Sequence, residues 1–287
     1  MANFTAFKEY EPSQVAAIIF IFVFLVEFVA HSWQSIRAKA WYMWPLVLST
    51  LLEFIGYALR EYCIHNRHVM TPYILSQVFI VMSPAFFAAS IYMLVGRAML
   101  YVGHGYSIIR PSWITPIFVS LDVVAICSQG GGSGIMFGGS STLDRIKLGR
   151  NILIVGLFIQ LIAFVAFLFL TISFDIKTRR ALGQHVASLR PLLNVFYFSG
   201  ALILLRSVYR AIEFMTIDFG SYPLTGYFYN VEWSYYVLDA IPIAIAVLAY
   251  NIWFPAKYLP KSKEERLGIK EDGATMLNNS SLELRQV

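Results

Sequence analysis

The sequence predicts an all-α fold, a polytopic membrane bundle of seven transmembrane helices with the N-terminus outside and the C-terminus cytosolic, on three observations. Of the 287 residues, 58% are hydrophobic and 14% charged, whereas a soluble domain carries about 25% charged residues. The apolar residues fall into seven blocks long enough to cross a bilayer, since about 20 residues rising ~1.5 Å each match a hydrocarbon core ~30 Å thick. Between the blocks lie short polar gaps whose lysines and arginines are unevenly shared between the two sides.

The first block, Val15–Trp33, follows Lys8, Glu9 and Glu11, which supply no positive leader, and it contains Glu27. It reads as a retained helix rather than a cleaved signal. The second, Trp41–Tyr62, carries Glu53 and Arg60. The third, Tyr73–Tyr101, contains Pro84, expected to kink it, and Ala85 and Ala89 at a spacing suited to close helix contact. The fourth, Ser112–Gln129, holds Asp122 and runs into Gly130, Gly131, Gly132, Ser133 and Gly134, read as a flexible helix end and loop. The fifth, Arg150–Phe174, holds Gln160; the sixth, Leu192–Ile217, holds Arg206, Arg210 and Glu213; the seventh, Glu232–Trp253, holds Asp239. Tyr222, Tyr227, Phe228, Tyr229 and Trp233 read as an aromatic belt at the outer interface. Residues 1–14 are thus an extracellular segment, 15–256 the membrane domain and 257–287 a cytosolic polar tail of solvated composition.

Orientation follows from the basic residues, because short cytoplasmic loops are enriched in them. Fourteen of the 22 lysines and arginines fall in the odd-numbered loops and the C-terminal tail, six on the other side, and two inside helix six. The N-terminus is therefore placed outside. The net charge of +5 is accounted for by those loops and the tail, so no nucleic-acid partner is expected.

Nine ionisable residues lie within the blocks: Glu27, Glu53, Arg60, Asp122, Arg206, Arg210, Glu213, Glu232 and Asp239. At ~3 kcal/mol each on insertion scales, exposing them all to lipid would cost on the order of 25 kcal/mol, more than the ~5–15 kcal/mol that holds a typical fold. They must face one another or water. Residues seven apart on a helix differ by only about 20° in direction, which puts Glu53 with Arg60, Arg206 with Arg210 and Glu213, and Glu232 with Asp239. By the orientation above, these together with Asp122, Gln129 and Gln160 fall in the outer half, and only Glu27 and His31 lie toward the inside. The expectation is a polar cavity opening outward, lined by helices two, four, five, six and seven. Its acids (Glu53, Asp122, Glu213, Glu232, Asp239) outnumber its arginines (Arg60, Arg206, Arg210), a charge that suits an amine-bearing ligand. The plainer alternative is a set of interhelical ion pairs that fix helix register and bind nothing.

These residues sit in motifs: Tyr10-x-Pro12-Ser13; Glu53-x-x-Gly56-Tyr57-x-x-Arg60; Pro84 with Ala88, Tyr92 and Arg97; Asp122 followed by Gln129 and its glycines; Gly156 with Gln160; Arg206-x-x-Tyr209-Arg210-x-x-Glu213; and Glu232 with Tyr236 and Asp239. Together, from Tyr10 to Pro255, they resemble the RTA-like family of fungal membrane proteins, also called lipid-translocating exporters. The resemblance implies seven helices in a plasma or internal membrane. It also implies the movement of amphipathic molecules such as sphingoid long-chain bases, amino-sterols and, for some relatives, porphyrins, without an ATP-hydrolysing domain.

Other chemistry finds little support. The glycine run lacks the Gly-Lys-Ser/Thr of a P-loop, helix seven has no lysine for a pigment Schiff base, and the helices hold one histidine, His31. No catalytic residue, cofactor or metal is expected, and the partners expected are membrane lipids and an amphipathic small molecule. His65 and His68 with Glu61 and Cys63 read as a polar external loop rather than a metal cluster. A seven-helix receptor or sensor is the second reading, although helix three ends in Gly96-Arg97-Ala98 instead of Asp-Arg-Tyr. Asn3-Phe4-Thr5 is an external glycosylation sequon, and those at Asn278 and Asn279 are cytosolic and silent. Cys63 and Cys127 are placed at similar depth on the oxidising side, where a disulfide between them would need Cα atoms within about 7 Å.

Overall fold

The computed structural model describes Phe7 and residues 11–103, 106–137, 143–182, 189–217, 226, 228 and 231–259. The three sequons, Tyr222, Tyr227 and Tyr229 of the belt, and the tail beyond Leu259 lie outside the described residues. Seven helices are long and apolar enough to cross a membrane among the residues described. We label them α1 (Gln14–Arg37), α2 (Trp44–His65), α3 (Met70–Val102), α4 (Pro111–Phe137), α5 (Leu143–Leu182), α6 (Arg190–Thr216) and α7, which runs through Glu232–Tyr235, Tyr236–Ala240 and Ile241–Ile252.

Three helix starts have a local cause. Ser13 caps α1 by accepting the Ala16 N–H, and proline occupies the first turn of both α2 and α6, where its missing N–H leaves no bond unmade. A 3₁₀ turn, Trp41–Met43, leads into α2. Short connections make successive helices antiparallel neighbours, from α1 against α2 through α6 against α7, and α1 also meets α7. The chain therefore closes on itself, and the even-numbered helices end at the same face of the bundle as the N-terminus.

The glycine run is not a loop. Helix α4 continues through it to Phe137, because its glycines let α5 approach backbone to backbone. A Cβ on Gly132 would lie 2.5 Å from the Gly149 carbonyl, one on Gly149 2.6 Å from the Gly132 carbonyl, and one on Gly156 2.8 Å from the Ala125 carbonyl. This is close packing by small residues, and the glycines elsewhere in the run, Gly130, Gly131 and Gly134, meet nothing within 4 Å. Helix α5 has 40 residues, about 60 Å at ~1.5 Å each, so it projects well beyond a ~30 Å core.

In α7, Tyr236–Ala240 forms a π turn. Pro242 has no N–H to return to Leu238, and the Ile241 N–H reaches back to the Tyr236 carbonyl instead. That extra residue per turn sits at Asp239.

The apolar exterior is that of a lipid-facing surface, with Val15, Phe22, Val26 and Trp33 of α1 all exposed. Inside, Phe20 stacks on Tyr57 and Tyr236 at 5.4 and 5.2 Å, joining α1, α2 and α7. Cys63 is buried and Cys127 exposed, and both are free, so the disulfide considered above does not form; α3 packs against both α2 and α4.

Candidate functional site

Eight of the nine intramembrane ionisable residues are buried and the ninth, Glu232, is half-buried, so none faces lipid. They divide into a filled polar layer and the wall of a cavity.

The layer begins at the C-terminal end of α2. Arg60 is 1% exposed, pairs with Glu232 of α7 at 3.0 Å, reaches the Tyr236 hydroxyl at 3.4 Å, and lies over the rings of Tyr235 and Phe7 at 4.6 and 4.9 Å. Aromatic faces stabilise a desolvated guanidinium. Arg206 and Arg210, one turn apart on α6, converge on Asp239 of α7. The Nε of Arg206 is 2.8 Å from Oδ1; Arg210 donates to both carboxylate oxygens at 3.0 and 3.2 Å and to Glu213 at 2.9 Å. The π turn carries the single acid that serves both arginines.

Arg206 has a further partner. Its Nη2 donates to the main-chain carbonyl of Ile80 in α3 at 3.1 Å. Four residues on stands Pro84, which has no N–H to offer that carbonyl. The guanidinium satisfies the acceptor that the proline leaves open. Neighbouring contacts tie α2 to the same stretch: Ser76 donates to the Gly56 carbonyl at 3.0 Å, and a Cβ on Gly56 would lie 2.6 Å from Ile80 Cγ1.

Beside this layer is a cavity of about 300 Å³ between α3, α4, α5 and α6. Its wall comes from the first half of α3 and α5 and the second half of α4 and α6, which is the half of the bundle nearest the chain's N-terminus. Met70, Ile74, Val78, Met82, Leu157 and Phe214 make most of it apolar, and Gln129, Gln160, Arg206 and Arg210 supply polar groups. Gln129 donates to Gln160 across it at 3.0 Å.

The single cavity anticipated from the sequence, lined by helices two, four, five, six and seven, is corrected by this arrangement. Helix α3 takes the place of α2 and α7, and among the predicted residues only Gln129, Gln160, Arg206 and Arg210 line it. Glu53, Arg60, Glu213, Glu232 and Asp239 lie in the packed layer, and Asp122 sits on α4 below the cavity. The acid excess therefore does not lie on the cavity wall. Residue spacing fixes which side chains share a stripe but not which helix the stripe meets. The α3 wall went unnoticed because its side chains, apart from Gln77, are methionine, tyrosine and aliphatic and none is charged. Pro84 four residues after Ile80 was the readable sign that a carbonyl there needs an outside donor.

Three buried acids stand apart from any cation bridge. The arginines pair with Glu232, Asp239 and Glu213, whereas Glu27, Glu53 and Asp122 have carboxylate oxygens with no hydrogen-bond partner among the described residues.

A family profile described as RTA1 like protein matches residues 46–262. Protein RTM1 of Saccharomyces cerevisiae is 31% identical over 72% of this chain and 65% of its own length. Protoporphyrin uptake protein 1 of the same species is 28% identical over 85% of this chain and 90% of its own. The lipid-translocating exporter-like protein RTA1 of Leptosphaeria maculans is 28% identical over 88% of this chain and 51% of its own. The chain thus spans under two thirds of the first of these and about half of the third. No solved structure matches.

Proposed function

The chain belongs to the RTA1-like family, and from that membership and the cavity we propose that it binds amphipathic lipids or lipid-like toxins and translocates them across its membrane without hydrolysing ATP. The observation that carries this reading is a cavity between four helices, with an apolar wall and a few converging polar groups. Such a site suits a molecule with one polar end and one apolar body. Relatives named for lipid translocation and for protoporphyrin uptake support it.

Among amphiphiles, the sphingoid long-chain bases and amino-sterols are the class we propose. Their hydroxyls can accept from the guanidiniums and amides of the wall. Directly behind it, Glu53, Glu213 and Asp239 outnumber Arg206 and Arg210, so the region that an amine approaches is not net positive. We place the N-terminus outside and the polar tail in the cytosol on the distribution of basic residues, and the protein in the plasma membrane; the cavity then lies in the outer half. Liposomes containing the purified protein test the proposal with a fluorescent long-chain base. Protein-dependent movement between leaflets without ATP supports it, and saturable binding without movement makes the protein a sensor instead.

A further inference from the structure

We propose that amphiphiles enter the cavity sideways from the bilayer, through a slot between α3 and α4 edged by Gly130, so that the polar end reaches Arg206 while the hydrocarbon chain lies in the slot. The slot as an entry route rests on the carrier reading above; the slot as a seat for a hydrocarbon chain does not.

Of the residues that line the cavity, only Ile74 of α3 and Gly130 of α4 are exposed at the protein surface. Those from α5 and α6 are buried or half-buried, so the cavity reaches the surface on the side of α3 and α4. Each of these helices turns one face to it. Ile74, Val78 and Val81 on α3 and Ile126, Gly130 and Ser133 on α4 share the same spacing of four and then three residues, which places each set along one stripe.

The two helices meet at their opposite ends, where α3 finishes and α4 begins. Thr115 donates to the Tyr92 carbonyl at 3.4 Å, and a Cβ on Gly96 would lie 3.4 Å from Thr115 Oγ1 and 3.6 Å from the Pro111 carbonyl oxygen. A Cβ on Gly130, by contrast, meets nothing within 4 Å. Antiparallel helices that touch at one end and stand apart at the other form a V, and the cavity occupies its open end. The other seams of that half are held together. Helices α4 and α5 touch through Gly132 and Gly149. Arg150 of α5 donates to the Met215 carbonyl of α6 at 2.7 Å, while Met136, Leu153 and Ile217 pack into one cluster. Arg206 ties α6 to the Ile80 carbonyl of α3.

The surface on both sides of the slot is apolar, with Ile74 and Leu75 of α3 and Val123 and Val124 of α4 exposed within helices that are long and apolar enough to span a membrane. A chain already in the bilayer enters such a slot without any change in its hydration, since it trades lipid contacts for protein contacts. The polar end has no partner among these aliphatic side chains. It finds donors further in, at Arg206 and Arg210 on α6, which takes no part in the slot. Glycine at position 130 leaves the passage open, and a leucine there would project into it.

Sphinganine carrying a diazirine in mid-chain tests this by photolysis with the full chain in nanodiscs, the adducts being mapped by peptide mass spectrometry. Adducts are expected on α3 and α4 around Ile74 and Gly130, and unlabelled sphinganine is expected to compete with them. The half-saturating concentration is expected to rise about tenfold in Gly130→Leu, an overpacking penalty of ~1.4 kcal/mol. It is expected to stay unchanged in Gly131→Leu, where a Cβ also meets nothing within 4 Å and which does not line the cavity. The mapping uses the parent chain, so it decides the matter even if a leucine variant fails to fold. Adducts confined to other helices, adducts that sphinganine does not compete away, or unchanged half-saturation in a folded Gly130→Leu overturn the slot, and movement of labelled sphinganine in the liposomes of the previous section then leaves the carrier reading standing. Slot adducts in the parent together with movement at the parental rate in Gly130→Leu overturn the entry route. Slot adducts without movement of the label remove the carrier reading and leave the slot as a seat for a lipid chain.

Discussion

Arg206 of α6 donates a hydrogen bond of 3.1 Å to the Ile80 carbonyl of α3, the acceptor that Pro84 leaves without its helical partner. A buried cation, a helix-breaking residue and a buried main-chain oxygen without its helical donor thus satisfy one another. The same guanidinium lies 2.8 Å from Asp239 and forms part of the cavity wall. One side chain thereby ties α3, α6 and α7 together at the cavity.

Replacing Arg206 by alanine leaves the Ile80 carbonyl without a donor and Asp239 one cation short. Removing one partner of a buried pair costs ~3–5 kcal/mol, so Arg206→Ala is expected to unfold at much lower temperature than Arg37→Ala, measured by fluorescence-detected thermal melting in detergent. Equal melting temperatures for the two variants would contradict this.

Adding Pro84→Ala to Arg206→Ala returns an N–H to Ile80. The double variant is expected to be more stable than Arg206→Ala alone by ~1–2 kcal/mol, the penalty of an unsatisfied buried acceptor, and a double-mutant cycle reads the coupling. Strict additivity would show that the proline and the arginine act independently.

Glu27 makes no ion pair among the described residues, so Glu27→Gln changes shape little and breaks no bridge there. It is expected to fold and melt within ~1 kcal/mol of the parent, the range of tolerated substitutions, whereas Asp239→Asn, which uncouples two arginines, is not. Size-exclusion profiles of the two variants in the same detergent decide between these outcomes.

Gly132→Leu forces a side chain into the Gly149 carbonyl and the Leu153 backbone, 2.5 and 2.8 Å from the Cβ alone. Overpacking of this kind costs ~1–3 kcal/mol or more. Gly130→Leu, where a Cβ meets nothing within 4 Å beside the cavity, is expected to leave the melting temperature unchanged, and a large drop there would mean that the run stabilises something besides the α4–α5 contact.

Before α1, Glu11 receives two hydrogen bonds from Arg67 of the α2–α3 connection, at 2.7 and 3.3 Å. They hold its carboxyl below the usual range, so the contact is present at neutral pH and is lost as pH falls through that lowered value. A spin label at Pro12, in a chain with Cys127 replaced by serine, is expected to gain mobility on acidification, and Glu11→Gln to be mobile throughout. A label insensitive to both changes would leave the clamp without effect.

Length and hydrophobicity determined the seven helices, because a bilayer demands about 20 apolar residues per span whatever the neighbours. The cost of a charge in lipid likewise determined that Glu53, Arg60, Arg206, Arg210 and Asp239 turn inward. Helix ends were less readable: Gly130–Gly134 read as a loop until α5 was seen against it, since glycine serves a turn and a close contact equally well. Only the tertiary structure decided the pairing, because a helical stripe has a direction but no address. It gave Asp239 to both Arg206 and Arg210, Arg60 to Glu232, and Asp122 to no cation bridge among the described residues, and it built part of the cavity wall from α3, whose methionines, valines and Ile74 carry no mark in a sequence where most residues are apolar.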